Sequence, residues 1–275
     1  MFKTIVAVVQ TDKDIQRVLD VALPLAEDHE AHLVGVHSEA LPVPYASAGG
    51  FPDTEMIEVN VKIAAERAAH IKAAFLARLE RTGISHEFRS FESFAGDSSL
   101  SGVDSARCAD LVIAARNSSD DSDGFQADVD SLIYEAGRPV LVVPHSGPLL
   151  ASYARVLIAW NNSKEAARAA FDALPFISQA RETRILVVDP VEESGTLSAS
   201  QLAAALERHG ATVTIATRRS GGRHVDEAIR HHIAESGADL LVMGAYSHSW
   251  LRELLFGGVT RNVLQSGETA VFLSR

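Results

Sequence analysis

Short apolar runs alternate with longer stretches of helical periodicity along the whole chain, and this rhythm predicts an α/β fold. Ile5-Val6-Ala7-Val8-Val9, Leu111-Val112-Ile113 and Leu240-Leu241-Val242-Met243 are apolar at every position. A strand with one wet face would alternate apolar with polar residues. An unbroken run is that of a parallel strand buried on both faces. Strands are predicted over about 3–9, 32–38, 86–92, 110–115 and 139–144, and again over about 155–160, 183–189, 211–218, 239–245 and 269–274. Helices are predicted over about 13–28, 54–82, 98–107 and 126–136, then 163–178, 197–209, 224–236 and 250–266. Ser163 can cap its helix, with Glu165 in the first turn facing the positive end of the dipole. Asp53-Thr54 can cap the long helix 54–82, whose Met56, Val59, Ile63, Ile71, Phe75 and Leu79 are expected to form its buried stripe.

The two lists of elements are one list written twice. Ile5-Val6-Ala7-Val8-Val9 and its helix, ending Ala22-Leu23-Pro24, correspond to Val156-Leu157-Ile158-Ala159-Trp160 and the helix ending Ala173-Leu174-Pro175. Ala109-Asp110-Leu111-Val112-Ile113 matches Ala238-Asp239-Leu240-Leu241-Val242, and Gly137-Arg138-Pro139-Val140-Leu141-Val142 matches Gly267-Glu268-Thr269-Ala270-Val271-Phe272. The order is kept, so the chain is a tandem, 1–146 and 152–275. The break falls near His145-Ser146-Gly147-Pro148, and the extra length of the first copy lies in Leu41 to Thr54, rich in proline and glycine. The expected architecture is two open five-stranded parallel sheets with helices on both faces and right-handed crossovers.

Composition narrows the function classes. The 275 residues are 47% hydrophobic and 22% charged, ordinary for a globular protein, with net charge −11 and pI about 5.4. That balance argues against a general nucleic-acid binder, which needs a basic face. No apolar run approaches the roughly 20 residues that span a bilayer, and the first residues lack the pattern of a signal peptide, so no membrane partner and a cytoplasmic location are expected. The single cysteine, Cys108, is expected to be a small buried residue.

The segment with most chemical content begins at Gly244. A buried strand ends there, a loop containing Ser247 follows, and Gly257-Gly258 opens a helix that carries Thr260. Glycines let backbone N–H groups approach a phosphate, and a helix N-terminus adds partial positive charge. In an open parallel sheet such a loop lies at the carboxyl ends of the strands, where ligands bind. On these residues the chain resembles the universal stress protein family, tandem two-domain type, over nearly its full length. That family writes the loop G-x2-G-x9-G-[S/T]. Gly244 and Gly257 match the first and third glycines, Ser247 stands at the second and Gly258 at the final Ser/Thr, with Thr260 two residues on.

The resemblance implies the adenine nucleotide alpha hydrolase-like fold. It also implies pairing of domains through their last strands, here about 139–144 with 269–274. In nucleotide-binding members the loop wraps ATP phosphates, with magnesium, and an aspartate ends the first strand. The equivalent positions here are Asn161 and Gln10. An amide still hydrogen-bonds a ribose or base edge but carries no charge. In the first copy Ala115-Arg116-Asn117-Ser118 replaces the glycine start, and Asp120, Asp121 and Asp123 follow. Carboxylates there repel a triphosphate, so no nucleotide is expected in the first domain.

Other candidates weigh less. His29 and His32 flank a helix end and are expected to point different ways; His231 and His232 are expected on a solvated face. Ser247-His248-Ser249 lacks the geometry of a nucleophile and base, and no G-x-S-x-G elbow is present. The spacing of Asp120, Asp121 and Asp123 lacks the pattern of a calcium loop, so no metal site is expected. Arg252 and Arg261 flank the glycine loop, and Trp160 is expected to pack beneath the pocket. The residues leave two functions open. One is a stress-response or signalling protein binding ATP or another adenine nucleotide in the second domain through Gly244, Ser247, Gly257, Gly258, Thr260 and Asn161. The other is an interaction protein, with an unknown protein partner, whose pockets are both degenerate. Neither is expected to be an enzyme, with a slow ATPase as the third and least supported alternative, and self-association beyond the internal pairing stays open.

Overall fold

The computed structural model describes residues 1–41, 54–93, 98–116, 129–144, 146–147, 149–150, 152–190, 192–222, 224–245 and 269–275. These hold ten strands: β1 (Thr4–Val8), β2 (His32–Ala40), β3 (His86–Ser93), β4 (Leu111–Ala115), β5 (Val140–Val143), β6 (Arg155–Ala159), β7 (Glu182–Val188), β8 (Val213–Arg218), β9 (Leu240–Gly244) and β10 (Ala270–Ser274). The helices are α1 (Asp12–His29), α2 (Thr54–Leu79), α3 (Ser98–Arg107), α4 (Val129–Glu135), α5 (Lys164–Asp172), α6 (Leu174–Ile177), α7 (Glu192–Arg208) and α8 (Val225–Ser236). The helix predicted over 250–266 lies outside the described residues.

The chain divides into two compact units, Phe2–Ala136 and Gly137–Arg275. In the first the strand order is β3-β2-β1-β4, all parallel. In the second it is β5-β10-β9-β6-β7-β8. There β10, β9, β6, β7 and β8 run parallel, and β5 pairs antiparallel with β10, Val142 opposite Val271. The strand that closes the first sequence copy is therefore packed with the second unit, against the last strand of the second copy.

The apolar runs become the sheet cores. β4, β5 and β10 are buried at every position. The repeat extends to single hydrogen bonds. Asp110 accepts the Thr4 N–H at 2.9 Å, and Asp239 accepts the Arg155 N–H at 2.8 Å. In each copy the residue before the fourth strand ties down the start of the first one, leaving those N–H groups satisfied. At the other end of β1, α1 opens with a capping box. Thr11 Oγ1 accepts the Asp14 N–H, and the Asp14 carboxylate accepts the Thr11 N–H.

Four expectations change. α2 buries Ile71, Phe75 and Leu79, but Met56, Val59 and Ile63 are 64%, 52% and 48% exposed. Its inward stripe instead runs through Ala64, half-covered at Ile57, Val61 and Ala68. Cys108 is exposed, because the last turn of α3 gives its inward positions to Val103 and Ala106 and the following slot to Ala109. His231 is exposed as expected, but His232 is buried. The helix predicted over 163–178 is two, α5 and α6, divided at Ala173 with Pro175 in the first turn of the second.

Candidate functional site

In the second unit β9, β6 and β7 lie side by side, and their carboxyl ends carry Gly244, Asn161 and Asp189 in that order. Gly244 closes β9. A Cβ placed there would fall 2.4 Å from the Ala166 nitrogen and 2.5 Å from the Glu165 carbonyl carbon. Only a hydrogen lets the first turn of α5 settle on the strand end, so this glycine is required for helix–strand packing. Ser163 caps that helix as expected, its Oγ accepting the Ala166 N–H at 3.1 Å. Asn161 is exposed, and its Oδ1 accepts the Ser163 N–H at 3.2 Å, closing an Asx turn; Asn162 holds a left-handed φ of 59°. Trp160 is buried, with its indole N–H donating to Ser198 Oγ at 3.1 Å, so it packs between β6 and α7.

The first unit fills the equivalent edge with its own side chains. Val8 is level with Val36 as Ala159 is level with Leu186, so Gln10 corresponds to Asn161 and Glu39 to Asp189. Gln10 is buried, and its Oε1 accepts the Ser38 N–H at 3.0 Å. His37 Nδ1 lies 2.9 Å from the Val9 carbonyl, which can only accept, so that nitrogen carries a proton. His37 Nε2 is 3.0 Å from Glu39 Oε1, and Arg67 Nη1 donates to Glu39 Oε2 at 3.2 Å. Both His37 and Glu39 are buried. Burial pushes the neighbouring Asp14 carboxyl up, against the N–H groups of Gln10 and Thr11 and the Thr11 hydroxyl that favour its charge.

Of the loop residues read from the sequence, Gly244 and Asn161 are described and come to adjacent strand ends. Ser247, Gly257, Gly258 and Thr260 lie outside the described residues, as do Ser247-His248-Ser249, Arg252, Arg261, Asp120, Asp121 and Asp123. His29 and His32 do separate: His29 packs edge-on to Phe2, whereas His32 Nδ1 meets Ser85 Oγ at 2.8 Å. Sequence reasoning passed over Asp189, which it took only as the last residue of a strand. The Asp-Pro at 189–190, just past an apolar run, is the signal that was available.

This is an open α/β sheet whose carboxyl edge is self-filled in one unit and solvent-facing in the other. Residues 152–275 match the family model described as the universal stress protein family. Over 99% of its length the chain superposes on 96% of a universal stress protein from Archaeoglobus fulgidus, with TM-score 0.70 and 15% identity. It likewise covers 93% of a putative universal stress protein from Pseudomonas aeruginosa UCBPP-PA14, with TM-score 0.62 and 17% identity over 99% of this chain. No curated protein sequence matches. Residues 152–275 thus match the universal stress protein family, and over its whole length the chain shares the tandem fold of these solved structures.

Proposed function

We propose that the chain is a stress-response or signalling protein that binds one adenine nucleotide, as ATP with magnesium, at the carboxyl edge of the second unit. The observation that carries this is the difference between the two edges. Asn161 and Asp189 are exposed where Gln10 and Glu39 are buried and already paired. A nucleoside needs solvent-accessible groups at the strand ends, and a buried network offers none. The sequence that follows Gly244 carries Gly257 and Gly258, residues suited to the close approach of a phosphate. The role is binding and not catalysis, because among the described residues this edge holds no paired nucleophile and base.

The competing reading is an interaction protein with both pockets degenerate. Two features favour it: Asn161 spends its Oδ1 on its own turn, and Gly244 is explained by α5 packing alone. Calorimetric titration with magnesium and ATP decides between them. The expected stoichiometry is one per chain, abolished by Gly257→Asp and unchanged by Gln10→Ala. Absence of binding at millimolar ATP would leave the interaction protein as the better account.

A further inference from the structure

β8 ends the strand order β5-β10-β9-β6-β7-β8 and pairs with β7 alone. The Thr183 N–H donates to the Thr212 carbonyl at 2.8 Å, and the Asp189 N–H to the Arg218 carbonyl at 2.9 Å. In a parallel ladder the residues that bond a given neighbour alternate, so the even-numbered residues of β8 bond to β7. Val213, Ile215 and Thr217 therefore point their N–H and C=O groups outward, away from the sheet. Among the described residues, only the Thr217 carbonyl of these groups has a partner, accepting from Arg218 Nη1 at 3.4 Å.

The two units treat this edge differently. β3, the corresponding edge of the first unit, carries Glu87, Arg89 and Glu92, and charge on an edge strand discourages further pairing. β8 carries neither charge nor proline from Val213 to Thr217, and its unbroken register with β7 leaves no bulge to turn it away. Ile215 is 39% exposed, and Thr214 and Thr217 are exposed. A bare edge rich in β-branched residues is a template for another strand.

The sequence of β8 selects the occupant, because it is self-complementary. With a two-fold axis through Ile215 and a second β8 laid antiparallel to the first, Ile215 meets its own copy and Val213 meets Thr217. Each such pair exchanges two backbone hydrogen bonds, so every outward group is used. Val213, Ile215 and Thr217 share one face and give β-branched cross-strand pairs, while Thr214 meets the small Ala216 on the other. Arg218 and Arg219 fall at opposite ends of the ribbon, against Thr212 and Ala211, where no like charge stands. A parallel, in-register pairing would set Arg218 against Arg218 and is disfavoured by repulsion.

We propose that β8 is a self-association surface, through which two copies of the chain join their second units into one continuous sheet. This is independent of the nucleotide reading. One six-residue strand pair is a small interface, so the dimer is expected to be weak, dissociating between about 1 and 100 µM.

Sedimentation equilibrium of the full chain tests this, and the wild type should pass from monomer to dimer over that range. Ile215→Lys sets two like charges against each other on the axis. Thr217→Lys, at an exposed position, is the second variant should the first disturb folding. Each is expected to weaken the dimer by about tenfold or more. Disulfide trapping locates the contact. In a Cys108→Ser background, Ile215→Cys brings two Cα atoms about 5.5 Å apart across the axis, within disulfide range, and should yield a covalent dimer on mild oxidation. Thr214→Cys, offset by two residues from its own copy, should not. A chain that stays monomeric to about 200 µM overturns the proposal and leaves the edge to a strand of another protein. A dimer that both lysine variants leave intact, or that Thr214→Cys traps equally well, overturns it in favour of another surface.

Discussion

His231 and His232 are neighbours on α8, yet one faces solvent and the other is 1% exposed. Neither ring nitrogen of His232 has a hydrogen-bond partner, and Glu235 Oε2 stands 3.5 Å from Nδ1. Burial pushes its pKa down, and the charges of Arg218 and Arg184 act the same way against the weaker pull of Glu235. The unfolded imidazole titrates near about 6.5. Above that pH both states are neutral and the residue has no effect on pH dependence. As pH falls below it, the unfolded chain takes up the proton first, so stability is lost down through the lowered folded value. His29 acts in the same direction, pushed down by burial first. Replacing His232 by Leu is expected to flatten the acid side of the stability profile, leaving the share of His29. It should also raise stability at pH 7.5 by on the order of 1 kcal/mol, since two buried polar atoms no longer go unsatisfied. Urea unfolding between pH 5 and 8 measures both; an unchanged acid slope would refute the assignment.

At the scale of the element, α2 shows why periodicity alone picks the wrong face in the first half of a helix, at Met56, Val59 and Ile63, while Ile71, Phe75 and Leu79 are buried as expected. Met56, Val59 and Ile63 lie at helical spacing, but so do Ile57, Val61, Ala64, Ala68, Ile71, Phe75 and Leu79, roughly a third of a turn round. The sequence offers two apolar stripes, and packing selects the one that meets β2 and β3. There the Phe75 ring fills the space over Gly35, where a Cβ would come within 2.7 Å of it, and packs at a tilt against Phe88 at 5.3 Å between ring centroids. Phe75→Ala should therefore cost about 3–5 kcal/mol, whereas Val59→Ser should stay within about 0.5 kcal/mol. Thermal and urea unfolding of the two variants give the comparison. A cost for Val59→Ser near that of Phe75→Ala would place the helix in the other phase.

At the scale of the whole molecule, the repeat and the packing draw different boundaries. By sequence β5 ends the first copy; by contacts it belongs with Gly137–Arg275 and covers the edge of β10. A chain of residues 152–275 lacks that cover and leaves Val271, Phe272 and Leu273 with unpaired backbone groups on one side. Compared with residues 137–275, it is expected to lose about 2 kcal/mol or more from the missing apolar contacts of β5. It should also self-associate through the open edge. Sedimentation and urea unfolding of the two pieces test this, and an equally stable, monomeric 152–275 would contradict it.

Much was legible in the sequence because it depends on local order. Unbroken apolar runs identified the parallel strands, Ser163 marked a helix start, and the repeated Ala-Asp before β4 and β9 marked one hydrogen-bonding device used twice. The resemblance to the universal stress protein family likewise rested on residues close together in sequence. What tertiary structure alone decided depends on neighbours far apart in the chain. The phase of α2, the burial of His232 and the exposure of Cys108 follow from which face meets a sheet, and two equal periodicities do not settle that. Gly244 was legible as a close approach, but only the fold shows that the group approaching is the backbone of α5. Gln10 and Asn161 are interchangeable amides in sequence. Pairing with Ser38 closes one edge, and exposure of Asn161 beside Asp189 leaves the other open, because strand order brings together residues that lie nearly thirty positions apart in the chain.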